Sequence, residues 1–142
     1  MIKYYILSLL LLFPIHSFAT HNVVTATINT GVNPAGMAIT PDGRFAYVAN
    51  SNNYGITNGD SVSVLDLTNN LLFKTIHGPF NQPYAITINP AGTKVYVMNS
   101  NGTTVSVINV PSNTVTATIS GFDGPSGMVI TPDGSTAYVN NY

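Results

Sequence analysis

From Met37 onward the chain alternates short runs of Val, Ile, Ala, Tyr and Thr with clusters of Pro, Asp, Asn and Gly. β-Branched and aromatic residues suit a pleated, half-buried surface. Four such runs follow one another, Met37–Thr40, Phe45–Ala49, Ser61–Leu67 and Leu71–Ile76, and they predict strands a, b, c and d. Four more follow at Ile86–Asn89, Lys94–Met98, Thr104–Val110 and Thr114–Ile119. Short strands about ten residues apart with turn signals between them predict an all-β fold. The turns have their own chemistry. Pro41-Asp42-Gly43 and Pro132-Asp133-Gly134 join a to b, with Pro presetting φ, Asp bonding its own backbone and Gly supplying positive φ. Asn89-Pro90-Ala91-Gly92 does the same in the second copy, and Thr68-Asn69-Asn70 and Pro111-Ser112-Asn113 join c to d. These tight connections predict four-stranded antiparallel meanders. Frequent β-branched residues and interrupting Pro and Gly disfavour a helical repeat.

The runs belong to an internal repeat. Pro34–Asn50 reads PAGMAITPDGRFAYVAN, Pro83–Asn99 reads PYAITINPAGTKVYVMN and Pro125–Asn141 reads PSGMVITPDGSTAYVNN. A period of about 40–50 residues marks a repeat architecture. Strand b is apolar on both sides, with Phe45, Tyr47 and Ala49 on one and Ala46 and Val48 on the other. A sheet buried on both faces must be stacked between neighbours, and four-stranded meanders stacked around an axis make a β-propeller. Asn22–Ile28 matches Asn70–Ile76 and Asn113–Ile119, so it is expected to be a d strand ahead of the first a. The expected inventory is d, abcd, abcd, ab: an incomplete ring of about two full blades plus partial ones. Propellers have 4–8 blades, so the expectation is a truncated copy of a longer protein, the alternative being several chains that complete a ring together.

Composition narrows the setting. Lys3, an apolar Tyr4–Phe13 and the small residues of Ser17-Phe18-Ala19 read as a signal peptide over residues 1–19, cut after Ala19. Residues 20–142 are then the repeat domain, expected to be secreted, periplasmic or at the cell surface, with no membrane span after cleavage. The apolar run is shorter than the roughly 20 residues a spanning helix needs. The chain has no Cys, so neither disulfides nor a lipoprotein anchor enter. Only 6% of residues are charged, against about 25% in ordinary domains. That leaves no basic footprint for nucleic acid and no polybasic patch for a membrane.

The motifs resemble one family. Ala46-Tyr47-Val48-Ala49-Asn50, Val95-Tyr96-Val97-Met98-Asn99 and Ala137-Tyr138-Val139-Asn140-Asn141 each follow a Pro-x-Gly turn. Val62–Asp66 and Val105–Asn109 look like that family's third strand, and Asn113–Ile119 like its fourth. Together they resemble the YVTN β-propeller repeat family from Asn22 to the C-terminus. The Thr of the eponymous motif is replaced by Ala49, Met98 and Asn140. The resemblance implies a secreted or surface propeller used as a binding scaffold. Related propellers include lactonases and lyases, so fold alone leaves the activity open.

Candidate chemistry lies on the longer connections, b to c and d to a, which a meander places on one face; such loops on a rigid scaffold usually carry function. Ser51–Val62 is six residues longer than Ser100–Val105. It brings Asn52, Asn53, Tyr54, Asn58 and Asp60, oxygen- and ring-bearing groups suited to a polar ligand, yet also to a solvated insertion. One carboxylate without EF-hand spacing does not support calcium. His77 stands where the other copies have Asn29 and Ser120; it is a candidate base or ligand, or an ordinary loop histidine. Phe80 and Tyr84 bring aromatics that either line a groove or plug the blade top. Lys74, on the outer strand, reads as a charge that blunts edge pairing. With no Glu and few histidines, neither a metal ligand set nor a facing carboxylate pair is legible, and no cofactor is expected.

Three readings follow. The first is a non-enzymatic propeller that binds an unknown protein or small polar ligand through its long-loop face. The second is part of a lactonase- or lyase-like enzyme. The third is a non-functional remnant. A homo-oligomer is expected if ring closure occurs between chains.

Overall fold

The computed structural model describes residues 24–51 and 60–142. The signal segment and the Asn52, Asn53, Tyr54 and Asn58 candidates lie outside the described residues. Ten strands follow in chain order: β1 Pro34–Ile39, β2 Phe45–Asn50, β3 Ser61–Asp66, β4 Leu71–Ile76, β5 Pro83–Ile88, β6 Lys94–Asn99, β7 Thr104–Asn109, β8 Thr114–Ser120, β9 Gly127–Ile130 and β10 Ala137–Asn140. They form two four-stranded antiparallel sheets in sequential order, β1 to β4 and β5 to β8, and a two-stranded sheet of β9 and β10. These are the predicted meanders, with ends shifted by a few residues at most.

The tight turns take the backbone expected of them. Gly43, Gly92 and Gly134 sit at φ 72°, 68° and 73°, where only glycine is unstrained. Thr40 Oγ1 and the Arg44 N–H both donate to Asp42 Oδ1. Thr131 Oγ1 and the Ser135 N–H do the same to Asp133 Oδ1. Asn89 Oδ1 accepts from the Thr93 and Lys94 N–H groups in the second copy. The same local geometry is thus built from Asp or from Asn.

Burial confirms stacking. Tyr47, Ala49, Val62 and Val64 of the first blade meet Ile86, Val95, Val97 and Ile108 of the second in one core, closed by Phe80. On the opposite face of β2, Ala46 and Val48 pack with Leu65 and are covered in part by Ile28. The outer strand β4 is exposed along its length except at Ile76. The inner strands meet closely: a Cβ on Gly36 would fall 2.5 Å from the Tyr84 carbonyl oxygen. Between the second and third sheets, Thr87 Oγ1 donates to the Met128 carbonyl at 2.8 Å.

One element differs from expectation. Residues 24–28 form no strand. A strand persists only where a neighbouring backbone exchanges hydrogen bonds with it, and among the described residues no strand pairing includes this segment; Asn22 and Val23 lie outside the described residues. Its sequence matches a d strand, but here it only lends Ile28 to the far face of the first blade.

Candidate functional site

Strand β2 ends in Asn50 and β6 in Asn99, and both are fully buried. An amide cannot stay buried without partners, and the loops supply them. Asn50 Oδ1 accepts from the Gly31 N–H at 3.1 Å, while Nδ2 donates to Ser61 Oγ and Ser63 Oγ at 3.0 Å each. Asn99 Nδ2 donates to Thr104 Oγ1 at 2.9 Å and Ser106 Oγ at 3.0 Å, and Oδ1 accepts a longer bond from the Asn81 N–H. Each amide therefore ties the d-to-a connection to strands b and c of the same blade. Gly31 allows this approach, since a Cβ there would meet Asn50 Cγ at 2.6 Å. In the third copy Asn141 holds this position, and the preceding Asn140, on the surface, donates to Ser126 Oγ at 2.8 Å.

Two further contacts join the blades. Tyr47, fully buried, donates its hydroxyl to Asn113 Oδ1 at 2.6 Å, and Lys74 Nζ donates to the Asn113 carbonyl at 2.9 Å. Asn113 is the c-to-d turn residue of the second blade, held at φ 51°. Burial raises the Tyr47 hydroxyl to about 12, so the proton it donates is held well beyond neutral pH. On the long-loop face, Asp60 Oδ2 accepts from the Gln82 N–H at 2.9 Å. That carboxylate links the b-to-c connection of one blade to the segment entering the next. Gln82 itself sits at φ 48°, and its carbonyl receives the Ser100 N–H and hydroxyl.

The sequence candidates accordingly separate. Asp60 works as a clasp within the long-loop face. Tyr84 follows two residues after the clasped Gln82, at a register irregularity of β5, with its ring half exposed. Phe80 is drawn into the core between the blades, so packing replaces the groove-lining role as its observed contact. His77 is exposed in an outer cleft of about 420 Å³ shared with Lys74, Pro79 and Val115. Lys74 does more than blunt an edge, because it reaches across to the second blade. Among the described residues, no three His, Cys, Asp or Glu side chains come together as a metal set, and no helix is long and apolar enough to cross a membrane.

A second cleft, of about 440 Å³, opens on the opposite face between the a-to-b turn of the first blade and the c-to-d turn of the second.

Residues 13–132 match the family described as lactonase, seven-bladed β-propeller. The chain belongs to the lactonase family of seven-bladed β-propellers. Its two complete four-stranded meanders are of the kind from which β-propellers are built. Among solved structures, the chain is similar to the hydrazine synthase of Kuenenia stuttgartiensis, with a TM-score of 0.75 and 33% identity over 82% of this chain and 32% of that one. A stretch of 56 residues, 39% of this chain, is 45% identical to the PE-PGRS family protein PE_PGRS18 of Mycobacterium tuberculosis (strain ATCC 25618 / H37Rv), of which it covers 12%. The chain thus spans a third or less of each of these relatives.

Proposed function

We propose that this lactonase-family chain, with blades of the YVTN type, is exported and binds a protein or small polar ligand through its long-loop face, without catalysing a reaction. The observation that carries the reading is the pair of buried amides. Asn50 and Asn99 hold the d-to-a connections rigidly against the blades, and preorganised loops lose less freedom on binding. Asp60, His77 and Tyr84 are the described residues proposed to meet the partner, joined by Asn52, Asn53, Tyr54 and Asn58 of the inserted loop.

The family match favours a second reading, in which the chain supplies blades to a lactone-hydrolysing enzyme. One experiment separates the two. Displayed random peptides are selected against the full chain and the hits are mapped by amide NMR, while γ-butyrolactone turnover is followed in a pH-stat. Peptides that shift the amides around Gln82 and Tyr84 and lose affinity in Tyr84→Ala support the binding reading. Lactone turnover above background would replace it with the enzymatic one. Export is tested on secreted material, whose N-terminal sequence should begin at Thr20.

A further inference from the structure

The cleft between the tight turns carries a feature that the repeat does not require. Phe45 and Phe73 meet at its wall with ring centroids 5.6 Å apart, and the Arg44 guanidinium lies 5.5 Å from the Phe45 centroid. The position of Phe45 is Lys94 in the second copy and Thr136 in the third, and that of Phe73 is Thr116. The aromatic pair is therefore particular to the first blade. Phe73 is the extra residue of a bulge: Val64 pairs with Lys74 and Leu65 with Leu72, so Phe73 has no opposite number. Bulges re-aim side chains, often beside functional sites. Thr116 occupies the same bulge in the second blade, so the bulge belongs to the fold while the ring is an addition. The ring remains 58% exposed, and packing alone does not call for it.

Charge gathers at the same place. The chain has four Lys and Arg in all, yet Arg44 lines this cleft and Lys74 is bonded to its wall residue Asn113. Asp42 also lines it; its Oδ1 accepts from Thr40 and from the Arg44 backbone, and its charge interacts with Arg44, so a bound anion would share the guanidinium with it. Pro41 and Pro111 supply further flat apolar surface. A volume of about 440 Å³ lies in the range of small-molecule sites.

We infer that this cleft is a binding site for a small aromatic carboxylate, its ring held by Phe45 and Phe73 and its anionic group by the Arg44 guanidinium. The site is independent of the long-loop face. Naphthoate is the probe, titrated into the full chain and followed by amide NMR. Saturable shifts at Arg44, Phe45, Phe73 and Asn113 are expected. Phe73→Thr, which restores the residue of the second blade, and Arg44→Gln should each weaken binding about tenfold, the scale of one charge-assisted hydrogen bond or one stacked ring. Naphthalenemethanol, the uncharged counterpart, should bind about tenfold more weakly than naphthoate to the wild type and equally to Arg44→Gln. Both positions are exposed, so the amide spectra of the two variants should stay folded. Absence of saturable shifts at these amides at millimolar naphthoate would overturn the site. Unchanged affinity in Phe73→Thr would overturn the ring's role, and equal binding of the alcohol would overturn the anionic one.

Discussion

Replacing Asn50 by Ala tests the account of the loop face most directly. The substitution removes an amide that is fully buried and makes three hydrogen bonds, to the Gly31 N–H and to the hydroxyls of Ser61 and Ser63. Ser63 is itself fully buried, and Ser61 nearly so. Each bond contributes about 0.5–1.5 kcal/mol net, and groups left unpaired in the interior lose the most. The expected destabilisation is about 2–4 kcal/mol. The chain contains its own control. Asn140 is an amide on the surface, with Ser126 as its side-chain partner, so Asn140→Ala should change stability by less than about 1 kcal/mol. Urea unfolding followed by circular dichroism measures both. Equal effects would show that burial does not set the cost of losing an amide here. An effect below about 0.5 kcal/mol in Asn50→Ala would refute the tie between connection and blade.

Other outcomes follow from the same geometry. Tyr47→Phe should cost about 1 kcal/mol through loss of the bond to Asn113, and a double-mutant cycle with Asn113→Ala in urea should return a coupling of similar size. Gly43→Val should cost about 1 kcal/mol or more from backbone strain alone, since φ is 72° and nothing lies within 4 Å of the added Cβ; Gly43→Asn should cost less, as thermal melting would show. Hydrogen bonds from Thr40 and the Arg44 backbone lower the Asp42 carboxyl, bonds from Asn69 and Thr68 lower that of Asp66, and Thr131 and Ser135 lower that of Asp133 to about 2. Groups depressed in the folded state contribute stability above their unfolded value of 3.8 and lose it as pH falls. Melting temperature should therefore drop on acidification below about pH 4, and Asp133→Asn should remove the part of that drop extending toward pH 2. At the other end, Tyr47 is raised to about 12 from 10.0, so its contribution is whole below pH 10 and is lost as pH climbs through the folded value. Tyr47→Phe should flatten that alkaline decline.

Strand positions and turn chemistry were legible because they rest on local pattern. Pro, Asp and Gly at fixed offsets leave the backbone few choices, and apolar residues on both sides of β2 leave a single sheet nowhere to bury itself. The candidate site was less legible because its organising residues are neither charged nor aromatic. Asn50 and Asn99 recur at the end of each complete b strand, opposite Ser61 and Thr104, with Ser63 and Ser106 two residues further on. That recurrence of polar pairs is the signal in the sequence. Phe80 illustrates the converse. An aromatic in a loop offers either a groove or a plug, and only packing against Val95 and its neighbours decides between them. The cleft at Phe45 and Phe73 joins residues 28 positions apart in one blade to a turn of the next, a juxtaposition that no window along the chain displays.

The bond from Tyr47 to Asn113 has a direction: a phenol on one sheet addresses a turn on the sheet that follows. Tyr96 and Tyr138 stand at the same place in their own copies, and Asn70 matches Asn113 with φ 55°. Stability in repeat arrays accrues by unit and by neighbour. A copied unit that carried this Tyr and this Asn would offer its neighbours the same donor and acceptor. Duplication can lengthen or shorten the array without any new joint having to evolve.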